Sequence, residues 1–175
     1  MASQWQFDLQ HSGVSFTIRH LMVSKVRGRF NRWSGSMRFD ENNLDDSSVE
    51  VQIDAASVDT SEPQRDAHLR SADFFDVERF PTLTFESTRI YGTPDDFVVD
   101  GKLTIHGVAR DVSLRGNFEG RANDPWGGVR VGYSAHTTIN RKDFGLTWNA
   151  ALETGGVVVG EEVRIELNVE AILKQ

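Results

Sequence analysis

Chemistry in this 175-residue chain would have to start from its histidines, its scattered carboxylates and two short matches to catalytic signatures. His11, His20, His68, His106 and His136 are candidate metal ligands. No two of them stand at the i, i+2 or i, i+4 spacing that puts imidazoles side by side on a strand or a helix. Cysteine is absent, which removes thiolate ligands, disulfides and thiol nucleophiles together. Asp143-Phe144-Gly145 matches the metal-binding triplet of protein kinases, but no glycine-rich phosphate loop or H-R-D-type loop precedes it. Gly132-Tyr133-Ser134-Ala135-His136 carries the serine of a nucleophile elbow with His in place of the final Gly, in a stretch that alternates like a strand. The acidic turn Asp40–Asp46 lacks the Gly and the ligand spacing of a calcium loop and reads as a solvated hairpin. No acid and base at a defined spacing remain. The expectation is a non-catalytic binding protein with no metal and no cofactor; an enzyme built from scattered groups inside the fold stays open as an alternative.

Residues 57–81, SVDTSEPQRDAHLRSADFFDVERFP, are the one stretch that does not read as strand and turn. Ser61 and Gln64 have capping-box spacing, and Glu62-Pro63 suits a first helical turn. This predicts a short helix from Glu62 to Ser71, with Arg65, Leu69 and Ala72 on one face. Arg65 and His68, one turn apart, could meet a polar headgroup or join Asp66 in a structural network. Phe74 and Phe75 follow, and Phe80-Pro81 launches the next strand. So long a segment between strands suggests a function, here the capping of one barrel end.

Elsewhere apolar and polar residues alternate. Trp5, Phe7 and Leu9 share a face, and the phase then switches at His11-Ser12-Gly13 so that Val14, Phe16, Ile18 and His20 align. A switch at Gly suggests a bulge or bend in one long strand. Met37 and Phe39, then Val49 to Ile53, Phe85, Leu103 and Ile105, Phe118, Tyr133, and Ile165 and Leu167 continue the pattern. About eight one-sided strands argue for an antiparallel sheet. A two-sheet sandwich would alternate in the same way, but closure into a barrel removes the edges and long strands suit a tilted closed sheet, which favours the barrel. The candidate ligand-binding residues are therefore Phe16, Ile18, His20, Met37, Phe39, Phe85, Leu103, Ile105, Phe118, Tyr133, Ile165 and Leu167 inside, with Arg65, His68, Phe74 and Phe75 at the capped end. On its apolar face, His20 also suits a hydrogen-bonded core position. Pattern alone leaves open whether the interior is a filled core, making the barrel an interaction module, or holds a hydrophobic ligand.

The length suits a single domain over residues 1–175. Lys and Arg look dispersed among the acids, the net charge is −7, and no basic stripe argues for nucleic acid. No apolar run is long enough to span a membrane. The N-terminus lacks the charged and apolar regions of a signal peptide, so a cytoplasmic location is expected.

The motifs W-x-F-D-x-x-H-S-x-V-x-F-x-I-x-H-L-M-V-S-K-V-R-G-x-F, from Trp5, and R-D-x-H-L-R-S-x-D-F-F-D-V-x-x-F-P-x-x-x-F-x-S, from Arg65 to Ser87, resemble the YceI-like family. Gly101 to Val108, Ile139 to Leu146 and Gly155 to Gly160 extend the resemblance over the chain. It implies an all-β, extended eight-stranded antiparallel lipocalin-like barrel that binds a polyisoprenoid lipid in its interior and forms a homodimer. Many relatives carry an export signal, and none is expected here.

Overall fold

A computed structural model describes residues 2–21, 23–150 and 158–174. In chain order the strands are β1 (Ser3–Phe7), β2 (Gly13–His20), β3 (Ser24–Phe30), β4 (Trp33–Phe39), β5 (Ser48–Asp54) and β6 (Val58–Asp59). The helix α1 (Pro63–Arg70) follows, and then β7 (Thr82–Gly92), β8 (Asp96–Ile105), β9 (Val108–Asn123), β10 (Val129–Asn140) and β11 (Val159–Leu173). Residues 155–157 of the terminal glycine-valine motif lie outside the described residues.

The ladder runs β1-β4-β5-β7-β8-β9-β10-β11 and returns to β1, closing an antiparallel barrel of eight strands. β2, β3 and β6 extend it: β1 and β2 both pair with β11, β4 and β3 pair with β1 and β2 respectively, and β6 pairs with the end of β3. Each early strand of the barrel is thus a long strand broken by a bend. Between Phe7↔Ala171 and Gly13↔Asn168, six steps along the first strand face three along β11. That excursion is the bend expected at His11–Gly13, and it takes Leu9 off the face it shares in the sequence pattern with Trp5 and Phe7. Leu9 falls within the excursion, where alternation no longer applies, and is 51% exposed.

Alternation places Trp5, Phe7, Met37, Ile53, Leu103, Ile105 and Leu114 in one core. The β8–β9 hairpin turns on His106 and Gly107, both at positive φ (56° and 72°), the geometry of a two-residue turn that follows the strand twist. Aromatic rings pack directly against strand glycines, Phe16 on Gly28 and Phe97 on Gly116. A Cβ at either glycine would collide with the ring.

The helix is where expected but is capped differently. Ser61 takes a left-handed conformation (φ 64°), its amide donating to Asp59 Oδ1, and so stands one residue too early to cap. Glu62 is the N-cap instead, its carboxylate accepting from the amides of Gln64 (3.3 Å) and Arg65 (2.6 Å). Pro63 occupies the first turn, where no amide is needed. Ala72 lies beyond the helix end.

Candidate functional site

The barrel encloses a cavity of about 580 Å³, within the range of small-molecule sites. On β11 the residues Val163, Ile165, Leu167 and Val169 alternate along its wall. The inner end is closed by rings. Phe39, Phe97 and Tyr133 contact one another with centroids 5.3 to 6.0 Å apart. Burial pushes the Tyr133 hydroxyl up to about 12, so it stays protonated in this apolar setting.

All the sequence-derived candidates line this cavity except Phe118. Phe118 packs on Tyr133 at 5.6 Å and faces a smaller cavity of about 200 Å³ at the closed end, with Phe39 and Tyr133 facing both. Its strand parity is inward, but the aromatic plug separates it from the large cavity. Alternation reports which face a side chain takes, not its depth along the barrel.

At the other end the mouth has three walls. The first is α1 with the segment after it. Arg65 donates to Thr60 Oγ1 (2.7 Å) and to the Thr60 carbonyl (2.8 Å), while buried Asp66 accepts from the Thr60 amide and hydroxyl. Thr60 therefore joins Arg65 to Asp66, and His68 turns away to Asp73 at 2.8 Å, so the expected network forms without it. The two adjacent phenylalanines diverge: Phe75 meets Phe30 edge-on at 5.7 Å, and Phe74 meets Trp148 and His68. Both still line the cavity.

The second wall is the β2–β3 hairpin, which contributes Ile18, His20 and Val26. The third is the turn after β10, which sequence reasoning missed. There Arg141, 2% exposed, donates to the carbonyls of Leu146 (2.7 Å), Trp148 (2.8 Å), Gly160 (2.7 Å) and Val159 (3.3 Å). Gly160 and Val159 lie at a register shift between β11 and β2, where the ladder is interrupted and Arg141 takes up their carbonyls. Burial lowers the pKa of this guanidinium. Trp148, in a stretch without alternation, closes over His68 at 4.6 Å.

One group of metal-type ligands occurs among the described residues: Asp8, His11 and Glu170. The Arg130 guanidinium already bridges it, 2.7 Å from Asp8 and 3.2 Å from Glu170, and it also holds Asp124 at 3.0 Å. Hydrogen bonds from His11 and Arg130 hold Asp8 down to about 2, and Asp8 in turn raises His11. A resident cation makes this an ion-pair clamp between two turns.

The family model described as the YceI-like domain matches residues 5–171. A UPF0312 protein of Pseudomonas paraeruginosa is 40% identical over 98% of this chain and 88% of its own length. The crystal structure of Burkholderia cenocepacia BcnA superposes with a TM-score of 0.82 at 25% identity, covering 94% of this chain and 98% of that one. A polyisoprenoid binding domain from Saccharophagus degradans shares the fold with a TM-score of 0.71 at 15% identity, covering 99% and 100%.

Proposed function

The chain belongs to the YceI-like family, and from that premise we propose that it binds a long isoprenoid-type lipid in its barrel, without catalysis, for carriage, storage or sequestration. The observation that carries this reading is the cavity, walled by apolar side chains, plugged by rings at one end and flanked by the polar groups of Arg65 and His68 at the other. Each isoprene unit, with roughly 100 Å² of apolar surface, gains about 2–3 kcal/mol on leaving water. Several units in a row would exceed the ordering cost of association. Arg65 and His68 at the mouth would then lie beside the polar end of the chain. The polyisoprenoid binding domain that shares the fold supports the same ligand class.

Native mass spectrometry of the purified protein, followed by organic extraction, tests this reading. A co-purifying isoprenoid is the expected result. An empty protein that refuses added lipid would favour an interaction module, and turnover of the extracted lipid an enzyme. The family resemblance further implies a homodimer, which sedimentation velocity at micromolar concentration would reveal.

A further inference from the structure

Although the cations look dispersed along the chain, the acids are not. Between Asp8 and Asp40 there is no carboxylate side chain, while Arg19, Lys25, Arg27, Arg29, Arg32 and Arg38 all fall in that interval. With 26 acidic residues against 19 basic ones overall, this interval is a cationic island on an acidic protein. The fold concentrates it further. On the β2–β3 ladder Arg19 stands opposite Lys25, Thr17 opposite Arg27 and Ser15 opposite Arg29, so four cations share the outer face of one hairpin. Arg29 is engaged by Asp59 at 3.6 Å, whereas Arg19, Lys25 and Arg27 make no ion pair within 4 Å among the described residues, Arg27 lying only in the longer-range field of Glu166. On neighbouring β11, Arg164 and Glu166 satisfy each other at 2.7 Å.

Beyond these cations the hairpin ends in apolar side chains left in water. Val23 is 82% exposed and Leu21 38%. The tip is held in place: the Leu21 amide donates to the Val158 carbonyl at 2.7 Å and the Val23 amide to the His20 carbonyl at 3.2 Å. The inner face of the same hairpin, Phe16, Ile18 and Val26, lines the cavity, as does Val158, and Arg19 reaches its rim. A single element therefore carries an apolar tip, a cationic outer face and a wall of the mouth.

We propose that the β2–β3 hairpin docks the protein on an anionic lipid bilayer. Leu21 and Val23 enter the boundary between headgroups and acyl chains, Arg19, Lys25 and Arg27 meet the lipid phosphates, and the cavity mouth is presented to the membrane. Shallow apolar insertion combined with basic residues at the surface is how peripheral proteins bind such membranes. The acidic remainder of the surface is repelled by the same bilayer, which leaves this face as the one that approaches. The lipid-binding reading above gives the docking its purpose, namely a route for cargo between bilayer and barrel.

The test is co-sedimentation of the full chain with vesicles of phosphatidylcholine alone and of a phosphatidylcholine–phosphatidylglycerol mixture. Binding is expected to the mixture only and to weaken with salt. Lys25→Gln and Arg27→Gln should each lower the partition coefficient about fivefold. Val23→Asp should lower it at least as much, and Val23→Leu should preserve it; unchanged melting would show that these exposed substitutions leave the fold intact. Native mass spectra of the same samples read cargo separately. Vesicle binding by a protein that never holds lipid would support docking and remove the cargo reading. Loaded protein that ignores anionic vesicles would overturn docking alone. Equal binding by Val23→Asp and the parent would overturn insertion of the tip, and would point to an acidic partner for the cations.

Discussion

The two ends of the barrel are held by different means. At the closed end, side chains hold side chains: Phe39, Phe97, Phe118 and Tyr133 form a block of mutually tilted rings. At the mouth, side chains hold backbone. Arg65 and Arg70 donate to the carbonyls of Thr60 and Ala56, and Arg141 to those of four residues. The cause lies in the ladders. At the closed end, β9 and β10 stay paired to their hairpin, at Asn123↔Val129. Towards the mouth they part beyond His136↔Arg115, and β6 covers only Arg29 and Phe30 of β3. Where ladders stop, buried backbone groups need other partners, and long arginines supply them. The closed end should therefore govern stability and the mouth should govern exchange.

The largest effect separates the two ends directly. Phe97→Ala at the closed end removes a buried ring and should cost about 3–5 kcal/mol, seen as a lower denaturation midpoint. Phe75→Ala at the half-buried mouth should lower the midpoint far less and raise the lipid off-rate more. Equal effects of the two on both readouts would erase the distinction. Next comes Arg141→Met, which keeps an apolar stem but strands the carbonyls of Gly160, Leu146 and Trp148, while Val159 keeps its bond from Asn149. The expected loss is about 3 kcal/mol, at 1–3 kcal/mol for each buried group left unsatisfied. If the midpoint holds, water has replaced the guanidinium and the mouth is wetter than the structure indicates.

A smaller effect tests the helix alone. Glu62→Ala should remove about 1 kcal/mol of helix stability and speed lipid release, while Ser61→Ala should do neither. Stopped-flow release measured for both variants against Glu166→Ala would show whether α1 acts as a lid.

The smallest effect concerns the Asp8–His11–Arg130 clamp beside the closed end. His11 is raised above its ordinary 6.5, so its contribution is present below that value and lost as pH rises through the folded-state pKa. Asp8 is depressed from 3.8 to about 2, so its contribution is present above 3.8 and lost as pH falls towards 2. The clamp should thus be strongest between those limits. His11→Ala should melt slightly below the parent near pH 5 and level with it near pH 9, with no change in lipid release at either pH.

Period-two alternation is enough to read about eight strands and their inward faces, and the Glu62-Pro63 start signal to read the short helix from Glu62 to Ser71, one residue longer at each end than the observed Pro63–Arg70. These features follow from local geometry, since successive strand side chains must point to opposite faces. The fate of Leu9 could not be read, because the chain leaves the strand after Phe7 and alternation ends with the ladder. Nor could the replacement of Ser61 by Glu62 as cap, which depends on a left-handed backbone at Ser61 that Asp59 holds in place. Phe118 was assigned the correct face but lies beyond Tyr133, because depth along a barrel depends on how far each neighbouring strand is sheared.

Arg141 falls within the Ile139–Leu146 motif, but nothing in the sequence assigned its role, which is to satisfy carbonyls of the turn after β10 and of the interrupted β11–β2 ladder. The cationic run from Arg19 to Arg38 was present in the order of residues, but only the pairing of β2 with β3 puts four of its charges on one face, beside an exposed apolar tip. What this sequence determined alone was the local alternation of faces. The tertiary structure decided which backbone groups lack a strand partner and which distant charges stand together, because both depend on register between segments far apart in the chain.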